Sequence, residues 1–266
     1  MQTGVVRIAL AQMDVEWENK IKNQKTCEKL VAKAGALNVD VVVFPEMTLT
    51  GFSMDVVKNG ESIKQGQTTQ FFAGLARKYG VGIVFGLVEK NLSTKGANTA
   101  IFVDKAGRIK ARYQKIHPFS FSGEHKHFIS GKKLSFFTVK ELKFSLAICY
   151  DLRFPGMFEA ISRHKPDAAI VIADWPEQRI SHWKTLLAAR SLDLQSYVIG
   201  VNRLGDSPVG KYNGESAVYD SRGRAMLKSN NKAGIRYVDL RKSEVLETRS
   251  EFPSVKDKKF SVYKNL

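Results

Sequence analysis

The strongest constraint on this chain is its unbroken alternation of short apolar runs with longer amphipathic stretches, without a Pro/Gly/Ser linker or an internal repeat. Short apolar runs bounded by turn residues read as buried strands, and stretches with apolar positions three and four apart read as helices lying on them. That pattern predicts one compact α/β domain over residues 1–266.

Val5 to Ala11 and Val39 to Phe44 are expected strands flanking a helix from Lys20 to Ala36, whose Ile21, Leu30, Val31 and Ala34 are partly helical in spacing. Pro45 ends the second strand. A helix over Thr68 to Tyr79 places Phe71, Phe72, Leu75 and Ala76 on one face, with Gly80 as its cap before a strand from Val81 to Val88. Ala97 to Val103 and Arg108 to Tyr113 flank Asp104-Lys105-Ala106-Gly107 and should pair as an antiparallel hairpin, as should Ser216 to Asp220 with Ala225 to Leu227. The sheet is therefore expected to be mixed. Further strands are expected near Leu134 to Val139, Phe144 to Ile148, Ala168 to Ile172 and Tyr197 to Val201, with helices near Gly156 to His164 and Ile180 to Gln195. From Lys242 onward no clear period remains, and this stretch is expected to form an arm over a neighbouring subunit.

With 266 residues and 43% hydrophobic content, the chain can bury a large core. Two cysteines, Cys27 and Cys149, are too few for a disulfide framework and fit a reducing, cytoplasmic setting. There is no apolar run of membrane-spanning length, and the stretch after Ile8-Ala9-Leu10 is polar and acidic, unlike a signal peptide. The formal net charge of +16 raises the question of a nucleic-acid partner. Its densest patches, Lys132-Lys133 and Lys256-Asp257-Lys258-Lys259, are short and lack zinc-finger spacing or an RNA-binding aromatic signature, so solvated surface lysines are expected instead.

Cys149 closes the apolar run Phe144-Ser145-Leu146-Ala147-Ile148, where a strand should stop and hand its side chain to a cleft. A thiol after a strand is ordinary, and Cys27, inside a helix with no nearby acid or glycine turn, reads as inert. Glu46 is harder to explain structurally. It follows Val41-Val42-Val43-Phe44-Pro45, and a carboxylate there is costly to bury without a cation or a proton-transfer role. Lys115 follows a third expected strand. Acid, cation and thiol at three strand ends form a plausible nucleophilic site.

Phe44-Pro45-Glu46, Tyr113-Gln114-Lys115-Ile116-His117 and Cys149-Tyr150-Asp151-Leu152-Arg153-Phe154-Pro155 resemble, in order, the three signature blocks of the nitrilase superfamily of carbon-nitrogen hydrolases. The likeness extends over most of the chain and is nearest to the omega-amidase branch, through Glu46 to Met54, Gly123 to His127 and His182 to Arg190. It implies a four-layer α-β-β-α sandwich, a Glu46-Lys115-Cys149 triad with Glu124 as an auxiliary glutamate, a homodimer, and no metal or organic cofactor. Pro118 stands where the branch usually has leucine, and Asp193-Leu194 where it often has Glu-Asn.

The implied chemistry needs these residue types. An unperturbed thiol is only a few per cent thiolate at neutral pH, so Glu46 would take its proton while Lys115 and the Tyr150 N–H hold the oxyanion. The expected substrate is a small omega-amide such as 2-oxoglutaramate or 2-oxosuccinamate. Its carboxylate is expected to pair with Arg153 or another cation, although Arg153 is equally placed to pair with Asp151. Phe119, Phe121 and Trp175 are candidates for an apolar wall, or for core. Nitrile, N-carbamoyl and deaminated-glutathione hydrolysis are sister alternatives, and a basic nucleic-acid-binding module is the nonenzymatic one. His125 and His127 raise a zinc alternative if they share a strand face, against which stands the lack of paired ligand spacing.

Overall fold

The computed structural model describes residues 4–90, 94–227 and 230–263. Five strands, β1 (Val5–Gln12), β2 (Val41–Val43), β3 (Gly82–Lys90), β4 (Gly96–Val103) and β5 (Ile109–Gln114), lie side by side in that order. The first three are parallel and the last two return antiparallel, so the β4–β5 hairpin makes the sheet mixed. A second sheet contains β6 (Phe136–Val139), β7 (Leu142–Ile148), β8 (Ala168–Ala173) and β9 (Tyr197–Asn202). After a small hairpin of β10 (Leu204–Ser207) and β11 (Gly210–Asn213), β12 (Ala217–Tyr219) and β13 (Ala225–Leu227) extend that second sheet. β14 (Gly234–Arg241) then crosses back and pairs antiparallel with the whole of β1, from Val5 opposite Arg241 to Gln12 opposite Gly234.

Alternation along the first sheet creates the layers. Val6, Ile8, Leu10, Val41, Val43, Val84, Ala100 and Phe102 share a core with the second sheet. Their neighbours Ala9, Ala11, Val42, Ile83, Phe85, Ile101 and Val103 point the other way. There they meet α1 (Lys20–Ala36) and, beyond the single turn α2 (Val56–Asn59), α3 (Gln67–Tyr79), through Cys27, Val31, Phe72 and Leu75. After the short α4 (Glu124–His127), α5 (Pro155–Ser162) and α6 (Ile180–Leu194) cover the second sheet. A Cβ on Gly200 of β9 would meet Leu187 at 2.5 Å and Trp183 at 2.6 Å, so glycine sets how closely α6 approaches. The result is the expected α-β-β-α sandwich.

The stretch from Lys242 forms α7 (Lys242–Glu251) and the short α8 (Phe260–Tyr263), and α7 packs on its own chain. Val245 is buried, Ser221 and Thr248 hydroxyls lie 2.6 Å apart, and Arg249 donates to the carbonyls of Pro166 and Gln195. A helix anchored chiefly by polar contacts shows little hydrophobic period. His125, Lys126 and His127 are exposed on a four-residue helix, not on one face of a strand, which removes the premise of the zinc alternative.

The loop after β2 straddles β3. Thr48 N–H donates to the Gly86 carbonyl and Gly86 N–H to the Thr48 hydroxyl, both at 3.0 Å, while Met47 adopts φ +40°. A Cβ at Gly86 would meet Met47 N at 2.4 Å and the Glu46 backbone at 3.0 Å, atoms that cannot swing aside. Gly86→Ala should therefore destabilise the protein by about 1–3 kcal/mol. Gly74→Ala, inside α3 with no atom within 4 Å of the new Cβ, should stabilise it by about 0.5–1 kcal/mol. Urea unfolding of the two variants checks both signs.

Candidate active site

The strand ends deliver their side chains to one place. Glu46 follows Pro45 at the end of β2 and is fully buried; its Oε2 accepts the backbone N–H of Asp174 at 2.9 Å. Lys115 leaves β5 with its N–H on the Asn98 carbonyl at 2.8 Å, and its ammonium is almost wholly buried. Nζ lies 2.9 Å from Glu46 Oε1 and 2.9 Å from Glu124 Oε2. Asn98, on β4, donates Nδ2 to both carboxylates, at 2.6 Å to Glu46 and 2.8 Å to Glu124. The Phe119 N–H closes the cluster on Glu124.

Burial by itself disfavours the Lys115 ammonium, but Glu124, Glu46 and Cys149 together outweigh it, and the lysine is held well above its ordinary range. This ammonium is permanently charged at any physiological pH. The cluster nevertheless carries two carboxylates to one cation, an excess that bears directly on the thiol.

Cys149 is half-buried at the end of β7 and opens a 3-10 turn, Cys149–Arg153, with φ +46°, a left-handed conformation uncommon for a residue with a Cβ. The turn is pinned by Asp151, whose carboxylate accepts the Ile148 N–H at 3.0 Å, the Tyr113 hydroxyl at 2.7 Å and the His117 N–H at 3.0 Å. Asp151 is thereby committed, and Arg153 does not pair with it. Arg153 instead lies over the Trp175 ring at 4.8 Å, with Nη2 3.2 Å from His182 Nδ1. Burial pushes the Cys149 thiol well up; Glu46 and Glu124 add to the effect and Lys115 opposes it. The resting sulfur is thus a protonated thiol within electrostatic reach of a carboxylate and an ammonium. Cys27, fully buried beside Met13 at 3.7 Å, is pushed up by burial alone.

Above Cys149 opens a small cleft with a volume of about 70 Å³. Phe52, Phe119, Trp175, Val209 and Tyr212 give it apolar walls, and Arg153, Arg179 and Tyr150 also line it. Trp175 is fixed by Asn202, which accepts its backbone N–H at 2.7 Å and donates to its carbonyl at 3.0 Å. Phe121 departs from expectation: it is 84% exposed and does not line the cleft, its ring sitting 5.8 Å from that of Phe119. Asp193, at one of the unusual positions, bonds Arg190 at 2.7 Å and does not line the cleft.

Asn98 and Asp174 were not singled out from the sequence. Asn98 left a signal as an amide within the apolar strand β4, and Asp174 left the same one as Glu46, an acid following an apolar strand. The Asp174 carboxyl is buried 4.0 Å from Arg203, and burial pushes its pKa well up against that cation.

Residues 7–250 match the carbon-nitrogen hydrolase family model. The chain is 32% identical to a 2-oxoglutaramate amidase of Bacillus subtilis, over 96% of this chain and 98% of that protein. It is 30% identical to the omega-amidase YafV of Yersinia enterocolitica, over 96% and 97%. Among solved structures, XC1258 of Xanthomonas campestris, a CN-hydrolase superfamily protein, superposes with a TM-score of 0.89 at 26% identity, covering 96% of this chain and 97% of that one. With the sandwich, the strand-end cluster and these full-length matches in agreement, the chain belongs to the carbon-nitrogen hydrolase family.

Proposed function

We propose that this chain is an omega-amidase that hydrolyses the terminal amide of a small carboxylate-bearing substrate of the 2-oxoglutaramate or 2-oxosuccinamate type through a thioester on Cys149. The observation that carries the reading is the Lys115 ammonium held at 2.9 Å by both Glu46 and Glu124 within electrostatic reach of the Cys149 thiol. Full-length likeness to a 2-oxoglutaramate amidase supports the substrate class.

In this reading Glu46 removes the thiol proton as sulfur attacks the amide carbon. The carbonyl electrons move to oxygen, where Lys115 and the Tyr150 N–H stabilise the charge. Collapse breaks the C–N bond as Glu46 returns the proton to nitrogen, and ammonia leaves. Water, deprotonated by Glu46, then attacks the thioester and releases the acid and the thiol. Glu124 touches Lys115 and holds its direction. Phe119 and Trp175 flank the substrate, and Arg153 receives its carboxylate. No step calls for a metal or organic cofactor.

One catalytic domain over residues 1–266, a homodimer and a cytoplasmic setting complete the proposal. The two free thiols suit a reducing compartment, and twofold dimers are the commonest assembly. Among the described residues no helix is long and apolar enough to cross a membrane.

Cys149→Ala should abolish ammonia release from 2-oxoglutaramate while leaving the circular dichroism spectrum and melting temperature near wild type; retained turnover refutes the mechanism. Lys115→Met should cost at least about a hundredfold to a thousandfold in kcat. It also leaves two buried carboxylates facing one another, so it should lose about 3–5 kcal/mol of stability in urea unfolding. A raised thiol pKa means that the thiolate fraction grows only at alkaline pH. Alkylation of Cys149 in the resting enzyme should therefore keep accelerating beyond about pH 8.5, where a free thiol is half ionised. A rate already level below neutrality would indicate a preformed thiolate. A panel of 2-oxoglutaramate, glutamine, a simple nitrile and an N-carbamoyl amino acid, read by initial rates, should give its highest kcat/KM on 2-oxoglutaramate.

A further inference from the structure

Arg179 ends the 3-10 turn Glu177–Arg179 between Trp175 and α6. Its carbonyl accepts the Trp175 indole N–H at 2.8 Å, so its backbone supports one wall of the cleft. Arg179 is half-buried, and its guanidinium lies 5.6 Å from the ring centre of Phe119 and 5.8 Å from that of Phe121; it lines the same cleft as Arg153, whose guanidinium lies over Trp175. Among the described residues neither arginine lies within ion-pairing distance of a carboxylate, whereas Arg7, Arg112, Arg190 and Arg222 all do. Among the described residues the only acidic one lining the cleft is Asp174, whose carboxyl is buried 4.0 Å from Arg203.

Two guanidinium forks without acid partners, stacked on aromatic faces at one small cleft, form an incomplete charge arrangement. A planar fork is matched by a carboxylate, to which it donates two parallel hydrogen bonds. We propose that Arg179 is a specificity-determining residue which, with Arg153, takes the substrate carboxylate and selects omega-amides of acids over uncharged amides. This rests on the amidase reading above. It also gives the exposed Phe121 a part, as a ring against the outer side of the Arg179 guanidinium, which keeps the cation over the cleft.

The test compares succinamate with butanamide, an uncharged amide of the same carbon count, in the wild type, Arg179→Gln and Arg179→Lys. Arg179→Gln should lower the ratio of kcat/KM for succinamate to that for butanamide by about ten- to a hundredfold, the size of a lost charged hydrogen bond. The loss should fall mainly in KM, and Arg179→Lys, which keeps the charge, should recover part of the ratio. An unchanged ratio in Arg179→Gln overturns the proposal, even where both rates fall together. Calorimetric binding of succinate to wild type and Arg179→Gln provides a readout independent of turnover: weaker binding by the variant supports the anion site, and equal binding refutes it. Failure of the wild type to hydrolyse either amide counts against the amidase reading, and succinate binding then still decides the role of Arg179.

Discussion

The buried Lys115 ammonium is the contact on which the rest of the site depends. Its removal from water is costly, and it is offset by the carboxylates of Glu46 and Glu124, themselves joined by Asn98. Those four side chains come from the end of β2, from β4, from the end of β5 and from the start of α4, so one charge cluster fixes the relative positions of four segments. Removing Lys115 would leave two buried carboxyl groups without their cation. The cluster therefore stabilises the first sheet's end and defines the geometry of the cleft together.

The proposed nucleophile belongs to the other sheet. Cys149 follows β7, and register between the sheets is carried by two sets of hydrogen bonds: the Asp174 N–H on Glu46, and the Tyr113 hydroxyl and His117 N–H on Asp151. Packing of the two sheets through Leu10, Val43, Phe144 and Leu146 brings these groups within reach. Burial raises the thiol's pKa, with Glu46 and Glu124 adding to it and Lys115 opposing it, so in the proposed reaction a base acts as the bond forms. In that reaction the proton taken up by Glu46 removes one negative charge from the cluster, which leaves Lys115 free to stabilise the charge developing on the substrate oxygen.

Much of this was legible in the residues. Glu46 and Cys149 each follow a buried apolar strand, while Lys115 follows the partly exposed hairpin strand β5, and the three strand ends meet at one place. The helix over Lys20–Ala36 emerged at its expected bounds because its spacing and its Asn19 cap agree. β14 was not legible: its partner β1 is more than two hundred residues away, and Gly234–Arg241 mixes charged and apolar residues as an edge strand does. The β10–β11 hairpin is short and half exposed, and α7 is anchored by hydroxyl and arginine contacts that leave no hydrophobic period. Asn98 and Asp174 are local departures from apolar strands whose partners become visible only once the two sheets are brought together.

The covalent step can be observed directly. Wild-type protein mixed with 2-oxoglutaramate, quenched in acid within a turnover and analysed by peptide mass spectrometry should carry an acyl group, the substrate less ammonia, on Cys149 alone. Product formation with no adduct on that sulfur under single-turnover conditions, or an adduct on another residue, would contradict nucleophilic attack by Cys149 beside the Glu46–Lys115–Glu124 cluster.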